Sequence, residues 1–103
     1  MKNICACNNV SELKVEGDFG ADALWCGVCD YNLDIAVLPI SQHLKTALIA
    51  WAHDYGTWLD MTHAKQAQQR IVLHNATGQT LTAAVQKEFP TYDVWFKATN
   101  AFT

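Results

Sequence analysis

Cys5, Cys7, Cys26 and Cys29 fall into two close pairs, C-x-C and C-x-x-C, with 18 residues between them. Two such pairs at this separation are the spacing of a zinc site. Zn²⁺ has no d-electron preference and settles into a tetrahedron of four soft donors. A tight turn can present two thiolates to one ion, and a strand–loop–strand excursion returns the second turn beside the first. Gly27 inside the second pair lets the backbone curl toward the sulfurs. Two disulfides, a redox pair and an iron–sulfur cluster are the alternatives. Disulfides need an oxidising compartment, and the opening MKNICACNNVSELK turns polar after six residues without the apolar middle of a secretion signal. The spacing therefore predicts one structural Zn²⁺ on Cys5, Cys7, Cys26 and Cys29, in a cytoplasmic protein. A closed shell of four thiolates leaves the metal no open position for chemistry.

The 103 residues predict a single domain over 1–103, with a ribbon at 1–30 and a helical and strand part at 41–103. Half the residues are hydrophobic and 17% are charged, which excludes a disordered tail. No apolar run reaches the length of a membrane span. Leu13 and Val15 alternate with Lys14 and Glu16 as a half-buried strand, and Ala23-Leu24-Trp25 reads as its hairpin partner. Ser41 is a helix N-cap two residues after Pro39. Leu44, Leu48, Trp51, Tyr55 and Trp58 recur at spacings of 4, 3, 4 and 3, one apolar stripe of a helix over 42–60 that could run on through the polar stretch from Lys65 to Arg70. Ile71-Val72-Leu73 reads as a short buried strand or the end of that helix. Asn75-Ala76-Thr77-Gly78 reads as a turn, with a second amphipathic helix from Leu81 to Phe89, stopped by Pro90. Tyr92, Val94 and Phe96 alternate with Asp93, Trp95 and Lys97 as a last strand with Trp95 on its wetter side. The expected fold is α+β: an N-terminal zinc-ribbon-like β-hairpin packed on two amphipathic helices and a C-terminal strand.

Catalytic motifs are missing: the sequence holds no G-x-S-x-G, no H-E-x-x-H and no Gly-rich phosphate loop. His43, His53, His63 and His74 follow at spacings of 10, 10 and 11. Ten residues of helix separate two side chains by about 15 Å and about 80° of rotation, so neighbouring pairs cannot chelate one ion from the same helix. They read as surface or capping histidines.

Charge is divided unevenly. Residues 1–40 hold Lys2 and Lys14 against Glu12, Glu16, Asp18, Asp22, Asp30 and Asp34, a net of −4, while residues 41–103 carry a net of +1. A phosphate backbone would be repelled by the acidic half, and a basic protein surface would be attracted to it. Direct nucleic-acid binding is therefore disfavoured.

The stretch LWCGVCDYNLDIAVLPISQHLKTALIAWAHDYGTWLD resembles small uncharacterised proteins of Gram-positive bacteria and their mobile elements. There a C-x-x-C knuckle precedes a Leu-Pro-Ile-Ser helix start and a Trp-rich helix. By type alone, a short, acidic, metal-stapled chain is also similar to phage anti-CRISPR proteins that bind type II effector nucleases, a class with no shared motif. The expected function is a non-enzymatic, zinc-stabilised inhibitor that occupies a basic, nucleic-acid-handling surface of a partner such as a CRISPR effector nuclease. Glu16, Asp18, Asp22, Asp30 and Asp34 would steer and seat the complex, with Trp95 as an anchor. The alternative is a zinc-ribbon nucleic-acid-binding regulator using Lys65, Arg70, Lys87 and Lys97. A third reading is an enzyme with a histidine site around His63 and His74.

Overall fold

A computed structural model describes residues 11–18, 20–58 and 64–99. Strands β1 (Glu12–Val15) and β2 (Leu24–Cys26) form the expected antiparallel hairpin, with Lys14 opposite Trp25. Helices α1 (Gln42–Trp58) and α2 (Ala64–Glu88) follow, and then β3 (Asp93–Phe96). β3 lies parallel to β1 on the side away from β2, so the sheet order is β2-β1-β3. The hairpin is thus two thirds of a three-stranded sheet, not a free-standing ribbon, because β1 is the strand that holds both neighbours. The α+β class and the C-terminal strand agree with the sequence pattern.

Alternation decides the two faces of the sheet. Leu13, Val15, Leu24 and Cys26 are buried, with Val94 and Phe96 packed against them, and this face meets the helices. α1 contributes Leu44, Leu48 and Trp51, and α2 contributes Leu81 and Val85, each at helical spacing. Between sheet and helices, residues 31–40 run as a loop with one 3-10 turn at Ile35–Val37, burying Leu33, Ile35 and Leu38. Its first part covers the outer edge of β2: the Cys26 N–H donates to Tyr31 O at 2.9 Å, and the Leu33 N–H donates to Leu24 O at 2.9 Å. Covering an edge removes a template for unwanted strand pairing.

Ser41 caps α1 as its residue type predicts, its Oγ accepting the Leu44 N–H at 3.2 Å. The same hydroxyl donates to Glu88 Oε2 at 2.8 Å, and the Ser41 N–H donates to Glu88 Oε1 at 2.7 Å. One carboxylate at the end of α2 therefore fixes the start of α1.

Two expectations for the middle of the chain are overturned. Ile71-Val72-Leu73 is neither a strand nor the end of α1, and Asn75–Gly78 is not a turn; all lie inside α2. The turn-forming types there serve tertiary contacts instead. The Asn75 side chain brackets Thr99, accepting its N–H at 3.0 Å and donating to its carbonyl at 3.3 Å. Gly78 faces β3 so closely that a Cβ would overlap the Phe96 ring and fall 3.0 Å from Trp51 Cζ2. The glycine is present for close approach, and tertiary packing overrides its low helix propensity.

Gly78→Ala separates these two effects. Helix propensity alone predicts about 1 kcal/mol of stabilisation, and the collision with Phe96 predicts a loss of about 1–3 kcal/mol. The collision is the larger, so urea unfolding should show a lower midpoint for Gly78→Ala; a raised midpoint would contradict this packing.

Candidate functional site

The face of the sheet turned away from the helices carries the other half of the alternation. Lys14 lies at its centre, and the two strand registers set Trp25 beside it on β2 and Trp95 beside it on β3. A Trp–Lys–Trp row thus crosses all three strands. The Lys14 side chain, on the polar side of the strand's alternation, is only 5% exposed. Its Nζ lies 5.0 Å from the centre of the Trp25 ring, within cation–π range. The Trp25 indole is fixed in turn by donating to Glu16 O at 3.2 Å. Trp95 is 38% exposed, and its Nε1 would lie 3.0 Å from a Cβ placed on Gly27. The indole therefore reaches from β3 across β1, and the absence of a side chain at Gly27 leaves it room.

A buried ammonium needs compensation. Glu16 supplies one carboxylate oxygen at 2.7 Å from Lys14 Nζ, and Asp30 accepts a second, direct hydrogen bond from it. Burial opposes the charged form of Lys14, but Asp30 and Glu16 outweigh it and hold its pKa above the ordinary lysine value. The hydrogen bond from Lys14 holds the Asp30 carboxyl below the usual range. Lys97 adds a looser contact, 3.8 Å from the other Glu16 oxygen. Asp30 has a φ of +66°, at the end of a reversal in which its own N–H donates to Cys26 O at 2.9 Å. That uncommon backbone conformation brings its carboxylate over the sheet. At the other end of β1, Glu12 pairs in register with Asp93. The face therefore presents two indoles around one locked lysine, with four carboxylates at the periphery. A lysine kept protonated in this way is a fixed cation rather than a nucleophile.

Of the residues expected to bind a partner, Glu16, Asp30 and Trp95 meet on this face. Asp22 and Asp34 serve the loop that follows β2. The Asp22 carboxylate accepts the Ile35 N–H at 3.1 Å, and Asp34 caps the 3-10 turn by accepting the Ala36 N–H at 3.0 Å. Asp18 is exposed in the turn between β1 and β2. Cys26 is buried on the helix-facing side at the end of β2, Cys29 is exposed three residues later, and Cys5 and Cys7 lie outside the described residues. Among the described residues no group of three or more His, Cys, Asp or Glu is placed to hold a metal. The basic residues of the alternative reading come from different elements. Arg70 and Lys87 lie on α2 and Lys97 follows β3, while the side chain of Lys65 is outside the described residues. No helix among the described residues is long and apolar enough to cross a membrane.

Sequence reasoning missed Lys14, Trp25 and His74. His74, expected as a surface or capping histidine, is buried, and it follows Ile71 by three residues and precedes Gly78 by four, a spacing that marks the inner stripe of α2. Its ring stacks on Trp51 with centroids 4.2 Å apart and packs at 4.7 Å from Tyr55. The Trp51 indole N–H donates to His74 O at 3.1 Å. His63 lies outside the described residues, so a histidine site is not assembled among those that are described.

A family described as Serratia CdiI immunity protein-like matches residues 11–99. The chain belongs to that family. A comparison with curated proteins returns no match. The CdiI-like match spans the whole sheet, both helices, Cys26 and Cys29, and starts after Cys5 and Cys7. It agrees with the expectation of a small inhibitor-type protein, and places it in an immunity-protein family that the sequence reading did not name; the expected zinc-ribbon and anti-CRISPR resemblances have no counterpart in it.

The buried histidine of this CdiI-like fold makes its stability depend on pH. Burial pushes His74 down from the ordinary 6.5 to about 4, with the nearby Asp54 charge opposing the shift. Between those values the unfolded chain holds a proton that the folded chain rejects, so stability is full above pH 6.5 and falls as the pH drops toward 4. The span is about 3 kcal/mol. Urea midpoints measured from about pH 7 to about pH 4.5 should decline, and His74→Gln should flatten the slope. A wild-type midpoint constant across that interval would contradict the buried neutral imidazole.

Proposed function

We propose that the chain is a non-enzymatic immunity protein that neutralises a protein toxin by docking the outer face of its sheet against a basic surface of that toxin. Membership of the CdiI immunity protein-like family supports the coarse reading. The Trp25–Lys14–Trp95 row among carboxylates supports the choice of face. Exposed tryptophan is the side chain most often found as an interface anchor. Glu12, Glu16, Asp30 and Asp93 give the periphery four negative charges against Lys14 and Lys97. A cationic partner, such as the nucleic-acid-handling surface of a nuclease, gains from that arrangement both in encounter rate and in register. Asp18 lies in the turn beyond β1 and adds to the steering field; Asp22 and Asp34 act by holding the adjoining loop in shape.

The partner captured from lysate in the presence of nuclease provides the test, followed by its binding isotherm with the purified chain. Trp95→Ala should weaken binding by roughly 2 kcal/mol, mostly through faster dissociation. Glu12→Lys with Asp93→Lys should slow association and reverse its salt dependence. Unchanged affinity in both variants would overturn the choice of face. Capture that disappears with nuclease would favour the nucleic-acid-binding regulator instead, and a CRISPR effector as the captured protein would restore the finer anti-CRISPR reading.

We also propose that Cys26 and Cys29 join Cys5 and Cys7 at one structural Zn²⁺, which would tie the segment before β1 to the end of β2. The reversal after β2 carries two cysteines, three residues apart in the sequence. The Gly27 N–H donates to Glu12 O at 2.8 Å, which ties that reversal to the start of β1. The four residues from Cys7 to Ser11 reach at most about 14 Å, so the first pair can approach the second. Elemental analysis should give one zinc per chain, and chelation should lower the melting temperature of the whole domain. A metal-free chain with an unchanged melt after chelation would refute the site.

A further inference from the structure

Charge on the outer sheet face is uneven along the strands. Both lysines of the face approach Glu16, Lys14 at 2.7 Å and Lys97 at 3.8 Å. Glu12 and Asp93, in register with each other at the opposite end, are left as the excess negative charge. The chain reversal after β2 lies at that acidic end, because the Gly27 N–H donates to Glu12 O at 2.8 Å. The reversal carries Asp30, whose Oδ1 accepts the Lys14 hydrogen bond while the side chain stays 71% exposed. Lys14 itself is too deeply buried for a partner to reach. What it offers outward is a carboxylate held in one orientation. The Trp95 indole arrives at the same reversal from β3, with its Nε1 beside Gly27. Val28 and Tyr31, each more than half exposed, stand on either side of Asp30 in the chain. One exposed indole and one fixed carboxylate therefore converge at a single turn.

We infer that this turn seats one arginine of the toxin, its guanidinium stacked on Trp95 and hydrogen-bonded to Asp30. The inference rests on the reading of this face as the toxin-docking surface. Charge asks for a cation here, and the pairing of ring with carboxylate decides which one. A guanidinium is planar, so it can lie on an aromatic ring and direct its N–H groups sideways to a carboxylate at the same time. A lysine ammonium is a compact, strongly hydrated point charge with no flat face to stack. The Trp25 ring already serves Lys14, whose Nζ lies 5.0 Å from its centre, so Trp95 is the ring that meets an incoming cation. Because the Asp30 side chain is fixed before the toxin arrives, it loses little freedom on binding. Val28 and Tyr31 add apolar surface at the margin of the contact, where exclusion of water strengthens a central anchor.

A double-mutant cycle between the chain and its captured toxin tests this. Each surface arginine of the toxin is replaced by lysine, and its binding is measured to the wild-type chain, to Asp30→Asn and to Trp95→Ala. Asparagine tolerates a positive φ, and Glu16 still neutralises Lys14, so Asp30→Asn should keep the fold, which circular dichroism checks. One arginine-to-lysine replacement should weaken binding at least about tenfold, about 1.4 kcal/mol. Asp30→Asn should weaken it by a similar factor, and the two together should lose no more than either alone. The same arginine should couple to Trp95→Ala. One leg of the cycle lies in the toxin, so a folding defect in the chain cannot produce this coupling. If Trp95→Ala weakens binding but every arginine replacement is neutral or additive with Asp30→Asn, the seat is wrong and the docking face stands. If Trp95→Ala and Asp30→Asn both leave affinity unchanged, the face itself is wrong and the seat falls with it.

Discussion

An ammonium in the middle of a sheet has to be neutralised where it stands, and Lys14 imposes that condition on everything around it. Its strand has partners on both sides, so Lys14 cannot turn to an open edge. Glu16 and Asp30 close over it, and Trp25 contributes the face of its ring. Breaking a buried pair by removing one member leaves an uncompensated charge, which costs more than the pair contributes. This makes the local geometry rigid. The positive φ at Asp30, the reach of Trp95 across β1 and the small Gly27 beneath it all belong to one arrangement. A rigid surface loses little freedom on binding, which is what a recognition face needs.

On the other side, the sheet is locked to the helices by a second set of close contacts. Gly78 lets Phe96 approach α2, Trp51 packs between Phe96 and His74, and Gly17 leaves space for the His74 ring from the far end of β1. A methyl group at either glycine would push these rings apart. Strand β3 is therefore held from two directions, by its ladder with β1 and by the aromatic contact with α2. The Gln86 side chain adds to this by donating to Tyr92 O and accepting the Val94 N–H.

Periodicity made much of this legible. The strand alternation in Leu13–Glu16 and Tyr92–Lys97, the stripe of α1 from Leu44 to Tyr55 and the Ser41 cap all follow from local rules, and each is in place; the side chain of Trp58 lies outside the described residues. Local rules failed where a residue serves a distant partner. Asn75 and Gly78 look like a turn because their usual reason for appearing together is a turn; here one binds Thr99 and the other admits Phe96. The parallel pairing of β1 with β3 joins segments about 80 residues apart, and nothing near either strand announces it. The site was legible in part for the same reason. Glu16, Asp30 and Trp95 could be named from charge and alternation. That Asp22 and Asp34 bind backbone N–H groups of the loop after β2, and that Lys14 is locked by Glu16, Asp30 and the Trp25 ring, depends on how the chain folds back on itself.

The central claim is that the outer sheet face is where the toxin docks. Hydrogen–deuterium exchange of the chain, free and saturated with its captured partner, tests it most directly. The account predicts new protection in the segments 12–16, 24–31 and 93–97, with the outer face of the helices unaffected by the toxin. Protection confined to α1 and α2, with the three strands exchanging as they do in the free chain, would contradict it.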